Sequence, residues 1–402
     1  MKNLILFDHK IREALLPLTF YRPISEIRVG IITIREKWEK ILGLQASHLT
    51  QDYLSRKYPL LIEQNNLFIA GNALPTPDLV RQIKSLKPKE GLLHKDQLIA
   101  ANIPGLLFPQ SQEIPLNELK LTEIGEVRTI NRPADIFLQN EDQIKADFDL
   151  LTQGRTSQPV PESTGVIGKH PIFIEEGAVV WATSINTTDG PAYIGKNALI
   201  MEGTVLRGPV AFCESAVAKM GAKIYKGTTI GPWSKVGGEI SNSVFFGYSN
   251  KGHDGYLGNS VIAEWCNFGA GSSNSNLKNN YSPVKVWSYV ENDYIQTHLI
   301  FHGLIMGDHS KCSINSMFNT GTVVGVHANV ATGHFPPKFI PSFSWNVGDQ
   351  TTTYELPKAI QTAQKVMARR GIELSEIEHS LMEHIFRLTT SYRKPFEYRD
   401  LY

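Results

Sequence analysis

Cysteine is scarce in this chain, with three thiols among 402 residues, so no disulfide framework is expected to hold it together. Long apolar runs are missing too: no stretch approaches the ~20 apolar residues that a helix needs to cross a bilayer. Charge of one sign is not in excess, because 40 basic side chains stand against 39 acidic ones. Such a balance gives no field for non-specific binding to nucleic acid or to an anionic membrane. The partners expected are small molecules and further copies of the chain. The opening residues, Met1 to Asp8, lack the basic start, apolar run and small-residue cleavage site of a signal peptide and read as a short buried strand entering a turn. The cytoplasm is the expected compartment.

What the chain does have is a period of six. Ile194, Ile200, Leu206, Phe212, Ala218, Ile224, Ile230 and Val236 fall on one phase, with the small residues Ala198, Thr204, Val210, Ala216, Ala222, Thr228 and Ser234 four positions behind each. With 42% of the chain apolar, eight matches in phase arise by chance roughly once per thousand starting points. The register returns at Tyr256, Ile262 and Phe268, and again from Ile300 through Met306, Cys312, Phe318 and Val324 to Val330. Neither a helix, with 3.6 residues per turn, nor an alternating strand can keep a period of six on one face. A solenoid can, if each hexad is a short strand plus a corner and about three hexads close a triangular coil. Cys266 and Cys312 then sit at repeat positions where a small buried thiol suffices.

The parts follow in order. Residues 1–153 form an α/β domain, with strands at Asn3 to Phe7 and Leu67 to Ala70, and helices at Thr33 to Leu42 and Pro77 to Leu86. A helical arm over Pro133 to Thr152 ends at Gly154, which suits a C-terminal cap. Residues 154–165 are a linker by composition, the coil occupies 166–341, and 342–402 form a helical tail around Ile360, Val366, Met367, Leu374, Ile377, Leu381 and Ile385. The repeat is broken near 183–191, 241–255 and 274–293, and insertions on a repeat scaffold tend to carry function.

The second break holds SNKGHDGYLGN (Ser249 to Asn259), with His253 between glycines on a loop expected to stand off the coil. NFGAGSSNSN follows from Asn267. This motif pair, at this spacing, resembles the acetyltransferase half of the bifunctional N-acetylglucosamine-1-phosphate uridyltransferase/glucosamine-1-phosphate acetyltransferase family. The resemblance implies a left-handed parallel β-helix, assembly as a homotrimer, and acetyl-CoA as co-substrate. It also implies that His253 is the general base, that Lys251 and Tyr256 help hold a sugar phosphate, and that Asn267 and Asn276 position the acceptor amine or coenzyme. Ala270 and Asn274 would contact the coenzyme. An amine attacks a thioester only after losing a proton, and imidazole accepts one near neutral pH. Leu277 stands where the family has an aromatic residue, and Tyr225 and Ser241 stand where it has basic ones. Lys223, Lys226 and Lys235 are the replacements at hand, and the acceptor sugar is left open.

At the amino terminus, LPLTFYRPISEIRVGIITIREKW (Leu16 to Trp38) resembles the segment after the nucleotide-binding loop of sugar nucleotidyltransferases. The preceding DHKIREAL (Asp8 to Leu15) has no glycine to let a backbone approach phosphate. Arg12, Arg22 and Arg28 are candidate phosphate ligands, Asp8 a candidate for Mg²⁺, and UTP the nucleotide that the resemblance implies. The domain order, nucleotidyltransferase-like domain, arm, hexapeptide coil, matches that family throughout. The expected function is N-acetylation of an amino-sugar phosphate, glucosamine 1-phosphate above all, with nucleotidyl transfer at the front domain. One alternative is a non-catalytic or regulatory trimer. Another is a metal site, because His298, His302, His309, His327 and His334 crowd the later coils, and Gln296 to Gly303 with Gly307 resembles the histidine strand of carbonic anhydrases built on the same coil. That spacing is one residue short and lacks a third upstream ligand, so no metal is assigned there.

Overall fold

The computed structural model describes residues 3–109, 113–348 and 350–397. By compactness the chain divides into two units, Met1–Ile27 with Ile32–Asp135, and Arg28–Ile31 with Ile136–Tyr402.

The first unit is built on a six-stranded mixed sheet. Its strands are β1 (Asn3–Phe7), β2 (Ala46–Leu49), β3 (Asn65–Ala70), β4 (Glu90–His94), β5 (Gln97–Pro104) and β6 (Lys120–Glu123), in the order β2-β1-β3-β5-β4-β6. β1 runs parallel to both neighbours, and β5 runs antiparallel to β3 and β4. The unbroken apolar run of β1 suits a strand covered on both faces, and Leu4, Ile5 and Leu6 are buried. Helix α1 (Ile34–Leu42) starts where Thr33 and Glu36 form a capping box and stops at Gly43, whose φ is +68°. Both ends were legible as a Thr-x-x-Glu start and a glycine stop. Helix α2 (Pro77–Ser85) has Pro in its first turn and the Thr76 side chain as its cap.

In the second unit, helix α3 (Pro133–Thr152) covers the expected arm. Asn140 fixes it to the coil, its amide donating to the Gly227 carbonyl (2.7 Å) and the Thr229 hydroxyl (3.0 Å). The coil itself is a parallel β-solenoid of three faces, carried by sheets of six, nine and ten strands, the last of which includes the antiparallel strand Gln350–Thr353 of the tail. Along one face Ile194, Phe212, Ile230, Phe245, Ile262, Met306, Val324 and Ile340 stack in register, one per coil, and all are buried. The small residues four positions back, such as Ala198, Ala216 and Ser234, are buried as well. One corner repeats a left-handed residue in coil after coil, Asn197, Ser215, Trp233, Tyr248, Trp265, His309, His327 and Phe343. That conformation turns the chain from one face to the next.

Three expectations need correction. There is no loop at 241–255, because Glu239–Ser241, Val244–Phe245, Asn250–Lys251 and Tyr256–Gly258 are all coil strands. The coils there are shorter, and the residues are lost from the corners, which the strands tolerate. The phase therefore slips by one, so that Leu257 points inward and is buried while Tyr256 is only half-buried. Ser184–Thr187 is likewise a coil strand, and Ile300 is exposed, the register resuming where Ile305 pairs with Val261. The third break does leave the coil and folds on itself as an antiparallel pair, Lys285–Ser288 with Asp293–Gln296.

The tail opens with a further antiparallel pair, Ser344–Val347 with Gln350–Thr353, and only then becomes helical. Helix α4 (Leu356–Ala368) is separated from α5 (Glu376–Leu388) at Gly371, whose φ is +70°, and α6 (Thr390–Glu397) follows. Phe343, the last residue of the corner column, packs edge-on against Phe386 of α5.

Candidate functional site

In the first unit the polar side chains gather where the parallel strands end. Asp8 follows β1, Thr50 follows β2 and Asn72 lies just past β3. The carboxyl ends of parallel strands are where open α/β sheets take their ligands. The Asp8 carboxylate accepts from the Ile24 backbone N–H (2.8 Å) and the Thr50 hydroxyl (2.6 Å) and pairs with Arg12 (3.5 Å). Burial raises its pKa, and those hydrogen bonds and the Arg12 charge oppose the rise. Arg12 donates to the Thr19 carbonyl and to the Tyr53 hydroxyl. Both oxygens of Asp8 are thus engaged, and among the described residues no group of three or more carboxylate, histidine or cysteine side chains could hold a metal ion. Mg²⁺ is commonly held by one or two carboxylates together with substrate phosphates, so Asp8 is the side chain here that would hold one.

Arg22 is buried, donating to the Leu18 carbonyl (2.9 Å). Arg28 belongs to the second unit, where it donates to the carbonyls of Phe246 (3.0 Å) and Ile31. Of the four candidates, then, the structure joins only Asp8 and Arg12. Sequence reasoning missed His9, which bonds the Asn72 amide (3.0 Å), and the group around Glu26, which takes Arg35 at 2.5 Å and His48 at 3.4 Å. His9 and Asn72 are 63 residues apart and Arg35 reaches Glu26 across nine, separations that no helix or strand period marks.

On the coil, His253 lies on the turn between the strands Asn250–Lys251 and Tyr256–Gly258, and its side chain is exposed. Glycine is required inside this turn. Gly255 has a φ of +121°, and a Cβ there would lie 2.1 Å from the Ser272 carbonyl oxygen. Lys251 departs from its expected place. It occupies an inward position, in register with Val236, and is 2% exposed. Its ammonium donates to the His253 carbonyl (2.9 Å) and the Gly237 carbonyl (3.4 Å), and burial lowers its pKa to about 8. From inside the coil it braces the turn that carries His253, and a surface phosphate is out of its reach.

Asn274 is also buried, its amide satisfied by Gly258 N–H and carbonyl and by the Ser275 carbonyl. It ties the coil where the third insertion leaves. Asn276 and Tyr256 do come together, the amide donating to the phenol oxygen (2.9 Å) and to the Asn259 side chain (2.7 Å). Asn267 is exposed and accepts from the Asn250 amide (3.0 Å), while the Ala270 carbonyl accepts from Asn315 N–H (2.7 Å). An exposed imidazole with a phenol and three amides on neighbouring rungs can take a proton and orient a polyhydroxylated acceptor. Of the later histidines, His298 and His334 are exposed, and the other three pack against rings. His302 lies edge-on to Phe137, and His309 and His327 stack 4.6 Å apart within the corner column.

Residues 4–156 match the sugar nucleotidyl transferase family model. A bifunctional sugar-1-phosphate nucleotidylyltransferase/acetyltransferase of Sulfurisphaera tokodaii is 35% identical over 95 residues, which cover 24% of this chain and 23% of the relative. The bifunctional protein GlmU of Methanocaldococcus jannaschii is 31% identical over 204 residues, 50% of this chain and 42% of the relative. The chain thus matches less than half the length of these curated relatives. Among the described residues no helix is long and apolar enough to cross a membrane.

Proposed function

We propose, on the premise that these matches support a GlmU-like bifunctional family, that the chain is a cytoplasmic sugar-phosphate transferase with two active regions. The coil transfers the acetyl group of acetyl-CoA to the amine of an amino-sugar phosphate, glucosamine 1-phosphate being the first candidate. The front domain transfers a nucleotidyl group, UTP being the first candidate donor, to a sugar 1-phosphate at the ends of β1, β2 and β3. The acetyl site is expected between subunits of a homotrimer, as in the family that the motifs resemble.

The observation that carries this reading is the His253 turn, which exposes the histidine, is braced from inside by the Lys251 bond to the His253 carbonyl, and leads into the strand whose Tyr256 meets Asn276. In the reaction the imidazole takes the proton of the attacking amine, the amine nitrogen bonds to the thioester carbon, and the thiolate leaves and is protonated. The N–H groups of Gly269 and Gly271 donate to the Cys312 and Asp254 carbonyls, so neither is assigned to the oxyanion. In the front domain, Arg12 and its neighbours order the strand-end loops, and no step is assigned to a metal on Asp8.

One experiment tests both halves. His253→Ala should lower acetyl transfer by about 10²- to 10⁴-fold. Pyrophosphate release from UTP and N-acetylglucosamine 1-phosphate should persist in the same preparation. Undiminished acetylation would remove His253 from the chemistry, and absence of pyrophosphate release in the unaltered protein would leave the front domain without its transfer.

A further inference from the structure

The antiparallel pair Ser344–Val347 with Gln350–Thr353 closes the coil and sets Trp345 opposite Thr352. Thr353 runs straight into Tyr354 and Glu355, the residues at the entry to α4. Together with Lys358 of the first turn, these side chains line a cavity of about 220 Å³. That is below the usual range for drug-sized ligands and leaves room for one small ring. None of the lining residues belongs to the His253 turn or to the strand ends of the first sheet.

The Trp345 side chain is 42% exposed. Among the described residues its ring contact is Tyr354, 5.0 Å away and tilted by 51°, an arrangement that leaves much of the indole open. Tyr354 is a fixed wall: it is buried, and its hydroxyl bonds the Lys358 carbonyl (3.1 Å) and the Thr362 hydroxyl (2.7 Å). The Glu355 carboxylate caps no N–H of α4 and pairs with Lys358 instead (3.0 Å). Both partners are exposed, and such a pair adds little to stability. It does place a strong acceptor and a strong donor beside an aromatic face. Because the two charges oppose each other, the cavity offers no field that would gather an ion of either sign. A purely apolar ligand would strip water from both charged groups without replacing it. An uncharged ring bearing hydroxyl groups meets every part of the wall. The C–H bonds of one ring face are slightly positive and suit the negative face of the indole, while its hydroxyls reach Glu355, Lys358 and Thr352.

We propose that this cavity is a separate binding site for one uncharged pyranose ring, outside both regions assigned to group transfer. It depends on neither transfer reaction. The test is saturation-transfer difference NMR on the full chain, with methyl β-glucopyranoside at millimolar concentration as the probe. Transfer should be strongest at the axial ring protons of one face, the face laid on the indole. Trp345→Ala should weaken binding by about tenfold, and Trp345→Phe, which keeps an aromatic face, should restore most of it. Glu355→Gln leaves the hairpin and its rings untouched and should weaken binding several-fold, which guards against a Trp345 variant that merely disturbs the coil end. His253→Ala should leave the transfer unchanged. Absence of transfer in the unaltered protein, transfer that survives Trp345→Ala, or transfer lost with His253→Ala would overturn the proposal. Tighter Trp345-dependent binding of adenosine than of the glycoside would also overturn it, since a flat base would then be the better occupant.

Discussion

In the coil an inward polar side chain is a fault in a series, whereas in the N-terminal sheet the same kind of side chain belongs to no series at all. From Val180 to Val330 the inward column that runs through Val236 and Phe268 is apolar except for Lys251, and the column beside Leu257 is interrupted at Asn274. Both exceptions lie beside the turn that carries His253, and both tie down backbone there. At the strand ends of the sheet, Asp8, Arg12, Glu26 and His48 are also buried or nearly so, yet nothing in a local pattern marks them as exceptional. Repetition therefore makes function visible as departure. In the mixed sheet, function has to be found through contacts that only the folded chain supplies.

The sharpest break of this comparison is a cavity in the series itself. Phe212 is fully buried in the stacked column, and Phe212→Ala should destabilise the coil by about 3–5 kcal/mol. Because each coil contacts chiefly its neighbours, amide exchange should accelerate first in the coils around Ile194 and Ile230. If acceleration is spread evenly over the whole chain instead, the coil is not behaving as a stack.

Much of the coil was legible because a period of six needs only arithmetic, and it failed where arithmetic fails. The shortened coils between Val236 and Ile262 shift the count, so a strict period of six puts Tyr256 inward in place of Leu257 and takes a continuing solenoid for a break. The helices α1 and α2 were legible through Thr33, Gly43 and Pro77, which act locally. In the candidate site a motif gives residue order but not which face a side chain takes: His253 is exposed and Tyr256 meets Asn276, whereas Lys251 and Asn274 turn inward. Arg28 shows the same limit: its charge invited a phosphate, and the fold spends it on backbone carbonyls.

In the sheet the comparison is sharpened by acid. Burial alone raises the Glu26 carboxyl, but the His48 hydrogen bond and the charge and hydrogen bonds of Arg35 outweigh it and hold the pKa at about 2. A carboxyl depressed on folding contributes stability that is full above its unfolded value, near 4.5, and is lost as pH falls through about 2. Across that window Glu26 should account for roughly 3 kcal/mol. Glu26→Gln should flatten that part of the profile when denaturation of the two proteins is compared between pH 5 and pH 2. Identical slopes would mean that the cluster keeps its charges apart from folding.

The smallest expected change in stability belongs to the most informative residue of the coil. Lys251 loses proton affinity on folding, its pKa falling from 10.5 to about 8 through burial, so the unfolded chain binds more protons between those values and stability rises with pH across them. Lys251→Met keeps the length of the side chain and removes the charge. At pH 7 the variant should be as stable as the original or slightly more so. Its rise in stability from pH 8 to pH 10 should shrink without vanishing, since Lys311 is held near the same value. Acetyl transfer should move the other way, kcat falling while KM for the acceptor changes little, because the His253 carbonyl loses its internal donor and the turn loosens. A variant with an unaltered pH slope and unaltered kcat would make Lys251 only a filler of the column. Loss of kcat in a protein that folds as well as before would show that the fault in the repeat is there for the histidine.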